Sequence, residues 1–345
     1  MSRVVTSVRR ACRVAMSVLG AGLILAACGT TTGTVTVVGV PSHSITVPLR
    51  VVACTTDNSC VTVGTSGSDS GPSSVGEFRT PNGRWTPLYV PPAPSSLVTT
   101  ASCWSTACLI GGTQPSGDLL WIYDAQARRV TATPAPQAGH GVSAVSCFAL
   151  ASCAVVDSLG VAQGSRLSFT SDGGATWSTP TLMNWSIGDQ ITGVSCTDLS
   201  NCLIAASGVG GRVQLELTSD GGVSWSTRAA SPLWNAVTSL SCHARRCVAL
   251  MSTTNGSVME RSQTFGRLWS GVTLNQRANA LACRSFTNCV VVGQTKSGAP
   301  WLATVLHRTV TTASLRYVPT PLTGTACGAR DCVAVAVSTV VTTRP

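Results

Sequence analysis

The chain has 345 residues, a formal charge of +10, 44% hydrophobic residues and only 10% charged ones. Val, Thr, Ser and Gly are prominent while Glu, Lys and Gln are scarce, which excludes a helical class and predicts an all-β chain. Arg3, Arg9, Arg10 and Arg13 lie at the extreme amino terminus, and after Cys28 the balance falls to +6 with its arginines scattered along the sequence, so no nucleic-acid surface is expected.

Residues 1–28 read as an export leader. Those four arginines precede an apolar run, Val14 to Leu25, that is too short to span a bilayer and is followed by small residues. The segment ends Leu25-Ala26-Ala27-Cys28-Gly29, which resembles the lipobox of bacterial lipoproteins. That resemblance implies a diacylglycerol on the Cys28 thiol and a membrane-held, extracytoplasmic location, each buried CH₂ contributing about 0.8 kcal/mol. Residues 29–33 read as a tether, and Thr34 to Val40 and Ser44 to Leu49 read as strands.

Fourteen of the sixteen cysteines then fall into couples: Cys54/Cys60, Cys103/Cys108, Cys147/Cys153, Cys196/Cys202, Cys242/Cys247, Cys283/Cys289 and Cys327/Cys332. Successive couples recur at intervals of 41 to 49 residues, the period of a four-stranded propeller blade. The spacing predicts a seven-bladed β-propeller over residues 34–345. Outside the cytosol such couples are disulfides; their gaps of four or five residues and the untracked histidines argue against a metal set. After Cys332 only thirteen residues remain, too few for a blade, so the amino-terminal strand is expected to complete the last one and close the ring.

Within the blades a second motif recurs. Thr170-Ser-Asp172-Gly-Gly174-Ala-Thr-Trp177 and Thr218-Ser-Asp220-Gly-Gly222-Val-Ser-Trp225 share a Ser/Thr-x-Asp-x-Gly-x-Thr/Ser-Trp pattern. Ser262-Gln-Thr264-Phe-Gly266-Arg-Leu-Trp269 is a degenerate copy, and Thr80-Pro-Asn82-Gly83-Arg-Trp85 a shortened one. Asp172 and Asp220 are expected to form turns, Gly174 and Gly222 to take positive φ, and Trp177 and Trp225 to pack between sheets. The pattern resembles the Asp-box of the BNR-repeat, sialidase-like propellers and, less specifically, the photosystem II assembly factor-like propellers. The resemblance implies the fold and no activity.

A sialidase-like glycoside hydrolase, the alternative reading, requires an arginine cluster, a Tyr/Glu nucleophile pair and an acid/base Asp. The chain offers Tyr89, Tyr123 and Tyr317 with Glu77, Glu216 and Glu260, and the glutamates recur with the repeat as an outer, solvated position would. The preferred expectation is a monomeric, cofactor-free, non-catalytic scaffold for a cell-envelope protein or glycan. In Asp-box propellers the box turn and the first interstrand loop share one face, which implies that the disulfides armour that face. The opposite face then holds the candidate binding residues Trp185, Asp189, Trp234, Asn235 and Arg277, an exposed aromatic and polar set of the kind contact surfaces use.

Overall fold

The computed structural model describes residues 4–6, 34–39, 48–65, 74–93, 95–137, 139, 141–159, 164–183, 190–208, 212–228, 230–313, 315, 318–337 and 339–344. Every regular element among them is a strand, and no helix there is long and apolar enough to cross a membrane. The strands form seven antiparallel sheets of sequential hairpins. Blade 1 holds Val51–Cys54, Cys60–Thr65, Ser74–Arg79 and Trp85–Leu88, and blades 2 to 6 repeat that order as far as Thr309–Ala313.

Blade 7 is assembled from both ends of the chain. Gly324–Cys327, Cys332–Val335 and Thr339–Arg344 supply three strands, and Thr34–Gly39 pairs antiparallel with the third to supply the fourth. Val4–Thr6, inside the expected leader, lies beside Thr34–Gly39 as a fifth strand. The remainder of that leader, Cys28 and the tether fall outside the described residues.

Each blade runs from a narrow inner strand to a solvated outer one. The second strands are buried on both faces, as in Cys60–Thr65, Cys202–Ser207 and Cys332–Val335, because each lies between two neighbouring sheets. Their sequences are accordingly near-continuous Val, Ala, Leu and Ile. Outer strands such as Ser270–Thr273 and Thr309–Ala313 are mostly exposed.

The hydrophobic core is divided into seven clusters, one for each interface between adjacent blades. The cluster of Leu49, Val52 and Cys60 with Val333, Val335 and Val340 joins blade 7 to blade 1 and closes the ring.

All seven cysteine couples are disulfide-bonded. In every blade the two cysteines are directly opposed partners on the first and second strands. The expectation that these bridges armour a surface is corrected by their burial. Cys108, Cys153, Cys247 and Cys289, like Cys202 and Cys332, are 0% exposed, and Cys60 is 1% exposed. Each belongs to an interblade core cluster, as Cys108 packs with Ile110 and Tyr123, Cys153 with Leu109 and Val155, Cys247 with Leu203 and Met251, and Cys289 with Val291 and Val305. The reason is positional: the second cysteine lies at the end of a strand that neighbouring sheets cover on both sides, where a half-cystine serves as a small apolar side chain. The first cysteines Cys54, Cys103, Cys147, Cys242, Cys283 and Cys327 are only half-buried, while Cys196 is buried with its partner. The bridges thus run from a partly accessible inner strand into the core, and the loops they close form most of the surface on that side.

The inner strands have no strand on their central side, so their amides find partners elsewhere. Hydroxyls of the preceding blade supply several: Ser102, Ser146 and Ser195 accept from the amides of Cys147, Cys196 and Cys242 at 2.9, 3.0 and 2.7 Å.

Candidate functional site

Alternating strand direction sends the loop from first to second strand and the turn from third to fourth strand out of the same side of the ring. Backbone bonds tie the two together within a blade: Gly173 N donates to Ala151 O, Gly221 N to Ser200 O and Phe265 N to Arg245 O, at 2.8 to 3.0 Å. The disulfide-closed loops and the Asp-Gly-Gly turns therefore share one face.

The turns themselves are built by side chains. Thr170 Oγ1 accepts from Gly174 N at 2.8 Å, and Asp172 accepts from Thr176 N at 2.9 Å and from the Thr170 hydroxyl at 2.8 Å. Thr218, Asp220, Gly222 and Ser224 repeat that arrangement with the same lengths. Hydrogen bonds from Thr176 and from Ser224, side chain and backbone, bring the Asp172 and Asp220 carboxyls down to about 2. Gly174 and Gly222 have φ of 94° and 91°. Blade 5 makes the same turn without a carboxylate, because Thr264 Oγ1 accepts from Leu268 N at 2.9 Å in the aspartate's place. The turn tryptophans lie against the preceding blade; Trp177 Nε1 donates to Pro134 O at 2.9 Å. The shortened copy in blade 1 is a plain tight hairpin, with Thr80 N donating to Arg84 O at 2.9 Å.

On this face the ring opens into a funnel of about 730 Å³. Its wall is made by the inner strands of blades 2 to 5, with Phe148, Asp198, His243, Arg245 and Phe265 at the mouth. Large aliphatic side chains stand exposed on the loops and turns of the same face: Leu150 at 71%, with Leu199, in the first loops of blades 3 and 4, and Val223 at 81% and Leu268 at 73% in the outer turns of blades 4 and 5. Hydroxyls of the preceding blade already occupy inner-strand amides of blades 3, 4 and 5 here, so the funnel is faced chiefly by side chains.

The expected binding set on the opposite face is only partly brought together. Trp185 and Asp189 lie outside the described residues. Asn235 and Arg277 are exposed, but Asn235 lies in the connection between blades 4 and 5 and Arg277 begins the first strand of blade 6. Trp234 is a correction. It is 5% exposed, packs edge-on against Trp269 at 6.1 Å between blades 4 and 5, and hydrogen-bonds Glu260. The neighbouring turn tryptophan gives its ring a dry partner, so it is an interblade plug rather than a surface anchor.

The glutamates also depart from a solvated repeat position. Glu77, Glu216 and Glu260 occupy equivalent places on the third strands of blades 1, 4 and 5, yet Glu77 is buried and Glu260 is half-buried, with burial pushing its carboxyl up. Tyr123 is fully buried and pushed up to about 12 by desolvation, Tyr89 stands exposed on blade 1, and Tyr317 lies outside the described residues. No described tyrosine is placed beside a glutamate by strand pairing. Among the described residues no group of three His, Cys, Asp or Glu is placed to hold a metal.

The chain is similar to an inactive variant of virginiamycin B lyase from Staphylococcus aureus with quinupristin, with a TM-score of 0.67, 8% identity and coverage of 91% of this chain and 99% of that one. It is similar to YCF48 bound to D1 peptide, with a TM-score of 0.63, 13% identity and coverage of 89% and 94%. YCF48 from Cyanidioschyzon merolae gives a TM-score of 0.63, 12% identity and coverage of 90% and 99%. The likeness is one of fold alone. No family model matches the sequence, and no curated protein matches it.

Proposed function

We propose that this chain is an exported, lipid-anchored propeller of the cell envelope that serves as a non-catalytic binding or assembly scaffold for a protein or glycan. The observation that carries this reading is the disulfide-loop face, where a funnel of about 730 Å³ opens on the same side of the ring as the exposed Leu150, Val223 and Leu268. Large aliphatics exposed on one face of a rigid ring form a contact surface that water solvates poorly. That location differs from the opposite-face site expected from the loops. The neighbour YCF48 is known with a D1 peptide bound, and a segment held by a rigid ring is the analogous role here. Membrane attachment at Cys28 rests on the Leu-Ala-Ala-Cys motif, and the link to Asp-box repeats rests on the two Asp-Gly-Gly turns.

Two measurements test the reading. Cys28→Ala is expected to leave the protein unlipidated and released from membranes; unchanged processing and retention remove the anchor from the proposal. A photo-reactive residue at Leu150 or Leu268 is expected to crosslink an envelope partner. Capture only from Leu233, exposed on the opposite face, moves the site there.

A further inference from the structure

The fold gathers arginines that the linear sequence scatters. Every loop on the disulfide-loop face comes from a first-to-second or third-to-fourth strand connection, and these loops with the strand ends that flank them carry nine exposed arginines. Blade 5 holds Arg245, Arg246 and Arg267, blade 6 holds Arg284 and Arg308, and blade 7 holds Arg330. Blade 1 continues with Arg84 and blade 2 with Arg128 and Arg129, which makes one unbroken arc over five of the seven blades. The exposed acids within the arc, Asp57 and Asp124, are engaged by their own turns, accepting from Ser59 N at 2.9 Å and from Gln126 N at 2.8 Å. Blades 3 and 4 reverse the sign, with Asp172, Asp198 and Asp220 exposed on the same face and no Arg or Lys in their loops there.

Three observations indicate that the arc is a seat for anions rather than a solvated surface. Arg84 and Arg128 line, with Phe78 and Pro81, a groove of about 460 Å³ between the outer turns of blades 1 and 2. Arg128 and Arg246 are held over the rings of Phe78 and Phe286, at 5.3 and 5.7 Å, so these guanidiniums are partly preorganised. Like charges also crowd: after burial, the larger cause, Arg308 lowers the pKa of Arg261, and Arg267 that of Arg228.

We propose that this arc binds a linear anionic glycan, one that carries a carboxylate, phosphate or sulfate at regular intervals. Guanidinium pairs with such groups bidentately, and an array with at least one cation on each successive blade fits a ligand whose charge is itself periodic. A polymer follows the arc and stops short of blades 3 and 4. A flat anionic bilayer laid on the same face presses three carboxylates against a negative surface. Single-stranded nucleic acid needs open aromatic faces, and the rings of Phe78 and Phe286 are covered by arginine. The inference deepens the scaffold reading by naming the chemistry of one ligand, and it rests on that reading for the extracytoplasmic setting.

The test is titration of the full, disulfide-intact chain with heparin as the probe, against neutral dextran, polyuridylate and phosphatidylglycerol vesicles, over a series of salt concentrations. Heparin is expected to bind, with an affinity that falls steeply as salt rises. Combining Arg284→Ala, Arg308→Ala and Arg330→Ala is expected to weaken binding at least tenfold and to flatten the log–log salt slope by about 2. Arg84→Ala with Arg128→Ala, which empties the groove of its cations, is expected to act in the same direction. Neutralising the exposed opposite-face cations Arg50, Arg212, Arg277 and Lys296 is expected to leave binding unchanged. Equal losses from the two faces, no loss from the arc, or tighter binding of vesicles or polyuridylate than of heparin overturns the proposal. If heparin fails while Leu150 and Leu268 still crosslink a partner, the polyanion inference falls and the scaffold stands.

Discussion

A single carboxylate shows how the repeat tolerates sequence drift. Asp220 joins Thr218 and Ser224 across a turn whose glycine has φ of 91°, and blade 5 keeps the same backbone with Thr264 in the aspartate's place. Phe265 stands where Gly173 and Gly221 stand in the other copies and takes a φ of 51°, a conformation that costs a residue with a Cβ. Because the folded pKa of Asp220 is about 2, below its ordinary 3.8, its contribution is fully present above about pH 4 and is lost as the pH falls toward 2. Asp220→Ala is therefore expected to lower the Tm at pH 7, with the gap to the unsubstituted protein closing by pH 2 to 3. Thr264→Asp is expected to do the converse, raising the Tm at pH 7 and losing that gain over the same window. Thermal scans of both variants across pH check the pair together.

At the scale of strands and turns, the disulfide hairpins and the interblade tryptophans do different work. Each disulfide pins two opposed residues of one hairpin, and closing so small a loop removes about 2 kcal/mol of unfolded-state entropy. Cys196→Ala with Cys202→Ala is expected to lose at least that much in denaturant unfolding, since both sulfurs also leave the core between blades 3 and 4. Trp234→Ala removes a buried ring from a T-shaped pair and is expected to lose about 3 to 5 kcal/mol without disturbing crosslinking from Leu268. An unchanged unfolding midpoint together with lost crosslinking returns Trp234 to the binding surface. The contrast also shows what was legible. Blade number and disulfide pairing were readable because both cysteines sit at fixed, opposed places in every repeat. The depth of Cys108, Cys153, Cys247 and Cys289 was not, because spacing gives the partner of a cysteine and not what the next blade lays over it. The burial of Trp234 was hidden too, because Pro232-Leu233-Trp234-Asn235 has the composition of a surface loop and its partner Trp269 lies thirty-five residues further on. The arginine arc was hidden for a related reason. Arg84, Arg128 and Arg245 are distant in the chain, and only the alternation of strand direction brings their loops to one face.

For the whole molecule the weak point of a ring is its seam, where strands from the chain's two ends pair within blade 7 and that blade packs against blade 1. The structure concentrates polar fastening there. Arg79, at the end of the third strand of blade 1, reaches across to Asp331 in the first loop of blade 7 at 2.6 Å, with side-chain exposures of 6% and 9%. Arg79 also donates to Asn58 O at 3.2 Å, and Asn58 Oδ1 accepts from Arg330 N at 2.7 Å. Arg79 occupies the place where blades 3 to 5 have the Thr or Ser that begins the third-to-fourth-strand turn, so the seam blade has exchanged a local turn former for a long-range clasp. Removing one partner of a buried pair strands the other charge in a dry interface, which costs about 3 to 5 kcal/mol, whereas removing both costs much less. Arg79→Ala is thus expected to be the more damaging change and Arg79→Met with Asp331→Leu the milder one. The damage is expected to be local before it is global: amide exchange in Val51–Cys54, Gly324–Cys327 and Thr339–Arg344 rises first, while the strands of blades 3 and 4, diametrically opposite, keep their protection. Uniform acceleration around all seven blades means that the ring opens as one cooperative unit and that the clasp is no more than one stabilising contact among many.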